Sequence, residues 1–348
     1  MKHHWQHCLQ HSPSRWARRA AAAALILMAC SAIIAAGASR QDVKVPASSP
    51  ATQSLADRLL APERTSLIDP LPAELKVKRI ERTGHLLVAP QINGQDAGWF
   101  IFDTGAGLSC ADQTLVQRLK LPHAGDTIAR GSGGNQPTTF RRAESLSLGP
   151  LTLEGTRLVE LDLSGISIAV GEEIAGILGY DCISAATWEI DVAGARITVH
   201  HPDRYVLPEE AKWIPLSLES RRPCVPGQIE DFEAGSFVVD TGANAAIAVH
   251  GPSVRKLGLL DNRETTPATM GGIGGIGAAR TGVLKSISIG GEKLHDVSGI
   301  FSQAEQGALQ EDTIQATVGL AALKHFVLIL HYDGRRAALL PPRPVAEE

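Results

Sequence analysis

Apolar positions along this chain fall in short runs or in strict alternation, and glycine, proline or asparagine closes most of them. Ser145–Leu153 reads SLSLGPLTL and Ser286–Leu294 reads SISIGGEKL. Each is a period of two broken by a turn, which predicts paired strands. His85–Phe102 reads HLLVAPQINGQDAGWFIF, where Asn93-Gly94 between apolar runs predicts a tight hairpin. Strand-like alternations outnumber helical patterns, so an all-β chain is expected.

One pattern occurs twice. GWFIFDTGA at Gly98–Ala106 returns as GSFVVDTGA at Gly235–Ala243, in register, with six of nine positions identical. Downstream of the motif the two halves keep the same order. An amphipathic stretch ends at Arg118–Leu121 in one and at Lys256–Leu259 in the other. A glycine-rich turn comes next, Gly131-Ser132-Gly133-Gly134 and Gly271-Gly272-Ile273-Gly274-Gly275, and then the alternating strands. Each half ends on an apolar pair closed by glycine (Ile177-Leu178-Gly179, Thr317-Val318-Gly319) and a strand-turn-strand about Gly194 or Gly334. Two related lobes are expected, each presenting one carboxylate at the end of a buried strand. A lone buried aspartate is costly, but two meeting across a pseudo-twofold axis can share a proton.

This order resembles the retropepsin-like and pepsin-like aspartic proteases over roughly residues 76–342. Met270–Ile276 is similar to a retroviral protease flap, and Ile177-Leu178-Gly179-Tyr180-Asp181 resembles the segment that braces the active site in that superfamily. Retroviral members assemble the site from two chains; here both halves lie in one, as in pepsin-like enzymes. The resemblance implies two pseudo-symmetric β-barrel lobes with the site between them, active as a single chain without metal or organic cofactor. It implies Asp103 and Asp240 as the catalytic pair, supported by Thr104, Gly105, Thr241 and Gly242. Gly133, Gly134, Gly272, Ile273, Gly274 and Gly275 are the expected flap and substrate contacts. Two departures stand out: the first flap lacks a pepsin-type tyrosine, and the second bracing segment, Val318-Gly319-Leu320-Ala321, lacks the aspartate of the first.

Composition narrows the partners. The formal net charge is −4 and aromatics are only 4%, so neither a basic surface nor a stacking platform argues for nucleic acid. An extended peptide or protein is the expected substrate. At 348 residues, two lobes of ordinary domain size fit once the N-terminus is set aside. Arg15, Arg18 and Arg19 precede an apolar run from Ala20 to Ala38. That fits an export signal cleaved before Ser39; the run is also about long enough to remain as a membrane anchor, and Leu27-Met28-Ala29-Cys30 resembles a lipoprotein box. Under each alternative the lobes are exported, periplasmic or anchored to the cytoplasmic membrane facing outward. The expected organisation is a signal or anchor over 1–38, a polar Pro-rich linker over 39–75, an N-terminal lobe over 76–205, a C-terminal lobe over 206–342 and a tail over 343–348. A short helix around Gln53–Leu60 is the one element expected in the linker.

Other features read more plainly. Gly272–Gly277 formally matches the dinucleotide pattern G-x-G-x-x-G, but a strand-like alternation comes after it where a helix is required. The histidines lack H-E-x-x-H and read as ordinary surface or core residues. Cys110, Cys182 and Cys224 have no metal spacing; packing as small hydrophobes is expected, with a disulfide left open. Set alone, each Asp-Thr-Gly is a turn aspartate capping local N–H groups. The aligned pair points instead to peptide hydrolysis by water activated between two carboxyls, or to a catalytically silent peptide-binding or scaffolding member of the same fold.

Overall fold

The computed structural model describes residues 60–343 and the short strand Ile26–Met28. The rest of the expected signal, and all but Leu60 of the expected linker helix, lie outside the described residues. Mostly strands, the chain forms two β lobes and a third sheet shared between them.

Each lobe is built around its Asp-Thr-Gly strand. Phe100–Phe102 pairs in parallel with Gly176–Leu178, and Phe237–Val239 pairs in parallel with Ala316–Val318. On the far side each partner strand pairs antiparallel with the strand beyond the motif, Cys110–Ala111 or Ile247–Val249. Phe100–Phe102 and Phe237–Val239 are essentially inaccessible, which is why they read as continuous apolar runs rather than alternating ones. The helix Gln113–Leu119 comes after the first motif and Gly251–Lys256 after the second.

The alternating segments form long hairpins. His123–Gly131 pairs with Gly134–Leu148, and Thr265–Gly272 with Gly275–Ile289; the glycine-rich turns are their tips. These are the two flaps. The Asn93-Gly94 hairpin forms as expected, with φ of 51° and 72° at its corner, the left-handed pair that a two-residue turn demands.

The closing hairpins of the two halves meet. Thr187–Asp191 pairs antiparallel with Val327–His331 at the centre of a six-stranded sheet. One apolar cluster therefore runs through both lobes, from Phe100, Phe102 and Trp188 to Phe237, Val239 and Leu330. The end of the proline-rich stretch belongs to the first lobe: Arg64–Leu67 pairs with Leu151–Glu154, and Ala73–Glu74 with Thr198–Val199. Between the lobes, the segment after His200 makes one short turn at Pro202–Arg204, and Tyr205 packs between His200 and Trp213.

Candidate active site

Both aspartates sit where a buried strand ends. The Asp103 N–H donates to Leu178 O at 3.1 Å and the Asp240 N–H to Val318 O at 2.9 Å, so each is the last residue held by its partner strand. The chain then turns, and a backbone N–H reaches back to each carboxylate: Gly105 N to Asp103 Oδ1 and Gly242 N to Asp240 Oδ1, both 2.8 Å. Gly105 is required for a second reason. A Cβ there would collide with the Asp240 carboxyl, so the loop of one lobe closes directly against the acid of the other.

The threonines lock the two loops reciprocally. Thr104 Oγ1 donates to Val239 O at 2.7 Å and accepts from Thr241 N at 3.0 Å. Thr241 Oγ1 donates to Phe102 O at 2.6 Å and accepts from Thr104 N at 3.0 Å. All four bonds cross between lobes and are buried, so none competes with water.

The carboxyls themselves are buried, 0% exposed for Asp103 and 4% for Asp240, and hydrogen-bonded to each other. Burial pushes the Asp240 pKa above the usual carboxylate range. The bond from Asp103, the Gly242 and Ala243 N–H groups and the charge of Arg222 pull it back in part. Such a pair favours one shared proton, one member acid and the other base.

The flaps close over the pair tip to tip. Gly133 N donates to Ile273 O at 3.0 Å, and Cβ atoms at Gly131, Gly133 or Gly274 would collide with backbone of the opposite flap. Ile273 is buried among first-lobe residues including Ala106, Leu108 and Ala129. Met270 of the same flap packs with Ala243, directly after the second motif. Gly134, Gly272 and Gly275 complete the turns. The residues expected to carry the site from sequence thus converge on one place.

Three further contributors lie outside the motif; of these, Asp181 belongs to the bracing segment already noted in the sequence. His85 is fully buried; its Nε2–H donates to Gly242 O at 3.0 Å, and its Nδ1 lies 2.8 Å from Thr83 Oγ1. Burial lowers its pKa. Arg222, 3% exposed, pairs with the carboxylate of Glu311. Asp181 Oδ1 accepts from Ser109 N at 2.7 Å and Ser109 Oγ at 2.8 Å, holding the loop after the first motif. One sequence signal for the first two was available: His85 and Arg222 are separated by the same offset as the two aspartates. Among the described residues, Cys110, Cys182 and Cys224 are buried and are not joined to one another by a disulfide. Among the described residues no cluster of His, Cys, Asp or Glu could hold a metal ion.

Two Asp-Thr-Gly loops gripping each other beneath paired glycine-rich flaps define a retropepsin-like aspartic-protease site. The aspartyl protease family model matches the chain twice, over residues 88–182 and 225–320; the chain belongs to that family, and each of its lobes is one copy. No curated protein matches it significantly.

Proposed function

We propose that this chain is an aspartic endopeptidase that acts as a single chain. Asp103 and Asp240 hold a water between them; the ionised member takes its proton as it attacks the peptide carbonyl, and the protonated member then serves the leaving amine. The observation that carries this reading is the buried, mutually hydrogen-bonded carboxyl pair, with each member also held by its own glycine N–H. Thr104 and Thr241 fix the spacing of the pair. Substrate lies extended between the pair and the flaps, adding its backbone to a flap strand.

The basic flank and the apolar run from Ala20 support an exported protein, periplasmic or tethered to the cytoplasmic membrane with its lobes outward. The deciding experiment is mass-spectrometric profiling of a peptide library with and without pepstatin. Pepstatin-sensitive cleavage that disappears in Asp103→Asn supports the reading; peptide binding without cleavage at any pH would leave the silent, scaffolding member instead.

A further inference from the structure

His85 stands beside the acid pair without belonging to the repeated motif. The turn before it is closed by three backbone bonds: Ile80 N to His85 O at 2.9 Å, Thr83 N to Ile80 O at 3.2 Å and Gly84 N to Ile80 O at 2.7 Å. The strand Leu86–Val88 then runs antiparallel to the first motif strand, with Leu87 opposite Ile101 and Val88 opposite Phe100. Two steps further along that register, His85 falls opposite Asp103. Its ring, however, serves the other acid. Nε2 lies 3.0 Å from Gly242 O, in the loop of the second lobe, and the bond is buried, so no water competes for it. A carbonyl only accepts, so Nε2 carries the hydrogen. The Thr83 hydroxyl, 2.8 Å from Nδ1, donates to the second ring nitrogen and fixes the ring in that form.

Gly242 O and the Ala243 N–H are the two ends of one peptide unit. The Ala243 N–H faces the Asp240 carboxylate beside the Gly242 N–H, and both hold its pKa down against burial. A hydrogen bond accepted at a carbonyl polarises its peptide and strengthens the bond its N–H donates. We propose that His85 is a positioning residue for Asp240: gripping Gly242 O from across the lobe boundary, it fixes and polarises the peptide whose N–H meets that carboxylate. The consequence for turnover rests on the peptidase reading; the effect on the carboxyl does not. Arg222 falls opposite Asp240 in the matching register, two steps past Cys224 opposite Val238, and its charge also favours the ionised Asp240. The two matched positions thus act on one acid, His85 through a peptide and Arg222 through its charge.

The test follows the carboxyl itself. The whole chain is labelled with carbon-13 at its aspartate carboxyls, and the Asp240 resonance is assigned as the one lost in Asp240→Asn. In His85→Phe, which fills the space without a donor, the Asp240 titration midpoint should move up by about half a pH unit. In His85→Gln, whose side-chain amide supplies an N–H in place of Nε2, most of that shift should be recovered. Circular dichroism checks each fold, and His85→Leu is the donor-free variant if the phenylalanine chain does not fold. An unmoved Asp240 midpoint in the folded donor-free chain overturns the proposal. An equal shift in His85→Gln also overturns it, because packing alone would then explain the change. On a peptide cut by the wild type, the acidic limb of kcat/KM should move up with the Asp240 midpoint and return in His85→Gln, with KM within about twofold, since His85 acts through Asp240 and not on substrate. A lower kcat/KM with the limb in place makes His85 a packing residue and overturns the proposal. A wild-type chain that cleaves nothing, with the Asp240 shift and its rescue both present, upholds the positioning role and overturns the peptidase reading.

Discussion

The two lobes share a backbone plan and differ in the chemistry that supports it. Behind the first motif, Gly179 N donates to Ser109 Oγ at 3.0 Å, and that hydroxyl is tied to Asp181. Behind the second, Gly319 N donates to Ala246 O at 3.1 Å, and Ala321 stands at the position matching Asp181. Asp112 caps the first helix by accepting from Thr114 N at 2.8 Å. The matching cap position in the second lobe is His250, which makes no side-chain cap bond and instead lies 3.0 Å from Thr317 Oγ1. The titratable His85 of one lobe has the permanently charged Arg222 as its counterpart in the other. A symmetric pair of acids therefore sits in an asymmetric field, and backbone symmetry does not make the acids equivalent.

The severest probe of this comparison is the pair itself. Asp103→Asn and Asp240→Asn should each lower kcat/KM by about 10³-fold or more, because one carboxyl cannot be both acid and base. Circular dichroism and the thermal midpoint should show the fold retained. More than a few per cent of activity in either variant would mean the two acids do not work as a unit.

Arg222 and His85 come next, tested on stability. Arg222→Met leaves Glu311 largely buried without its partner and should cost about 3 kcal/mol in urea unfolding; adding Glu311→Leu should recover most of that. His85→Phe removes the bond to Gly242 O and the one to Thr83 Oγ1 and should cost about 1–2 kcal/mol. Equal costs at the two positions would erase the asymmetry.

The third probe is pH. Burial and the nearby Arg222 charge push the His250 pKa down to about 3, against about 6.5 in an unfolded chain. As pH falls from about 6.5 toward 3 the unfolded state binds a proton that the native state refuses, so stability is lost over that window, by at most about 1.4 kcal/mol per pH unit. Asp240 has the opposite sign: its raised pKa favours the native state at low pH, and this is lost as pH rises through the folded value. The difference between wild type and His250→Asn isolates the histidine. The variant should lose less stability on acidification, and parallel curves would show that His250 does not titrate this way.

The smallest effect concerns Ala106 and Ala243, both buried directly after the motifs. Neither can donate a hydroxyl to the ionised pair. Replacing both with serine should move the acidic limb of the kcat/KM profile down by a fraction of a pH unit, from a wild-type optimum in mildly acidic to near-neutral conditions. An unshifted limb with the fold preserved would rule the explanation out.

Much of this was legible in the chain because the repeat carries its own internal control. The motif strands, flap hairpins and closing hairpins recur with nearly constant spacing, and all of them form. Arg64–Leu67 and Ala73–Glu74 escaped notice because they are very short, lie among prolines, and owe their strand geometry to partners far along the chain, at Leu151–Glu154 and Thr198–Val199. His85 and Arg222 escaped for a related reason. Their roles depend on contacts with Gly242 and Glu311 that no local pattern encodes, whereas Asp181, which holds Ser109, was marked by the bracing segment it belongs to. The cross-lobe threonine bonds, by contrast, were readable because the same residue appears twice in one motif.

The shared sheet also constrains how the protein is made. Thr187–Asp191 waits for Val327–His331, near the far end of the second lobe, so through synthesis of almost that entire lobe one side of the strand has no native neighbour. Its burial pattern, with Trp188 and Ile190 fully enclosed in the finished molecule, makes it an adhesive surface on a nascent polypeptide. A ribosome stalled anywhere between the lobes would release a half-molecule whose readiest mate is another half-molecule, pairing strand to strand where the missing lobe belongs. The late, long-range closure should also make refolding slow relative to the formation of either lobe's local hairpins.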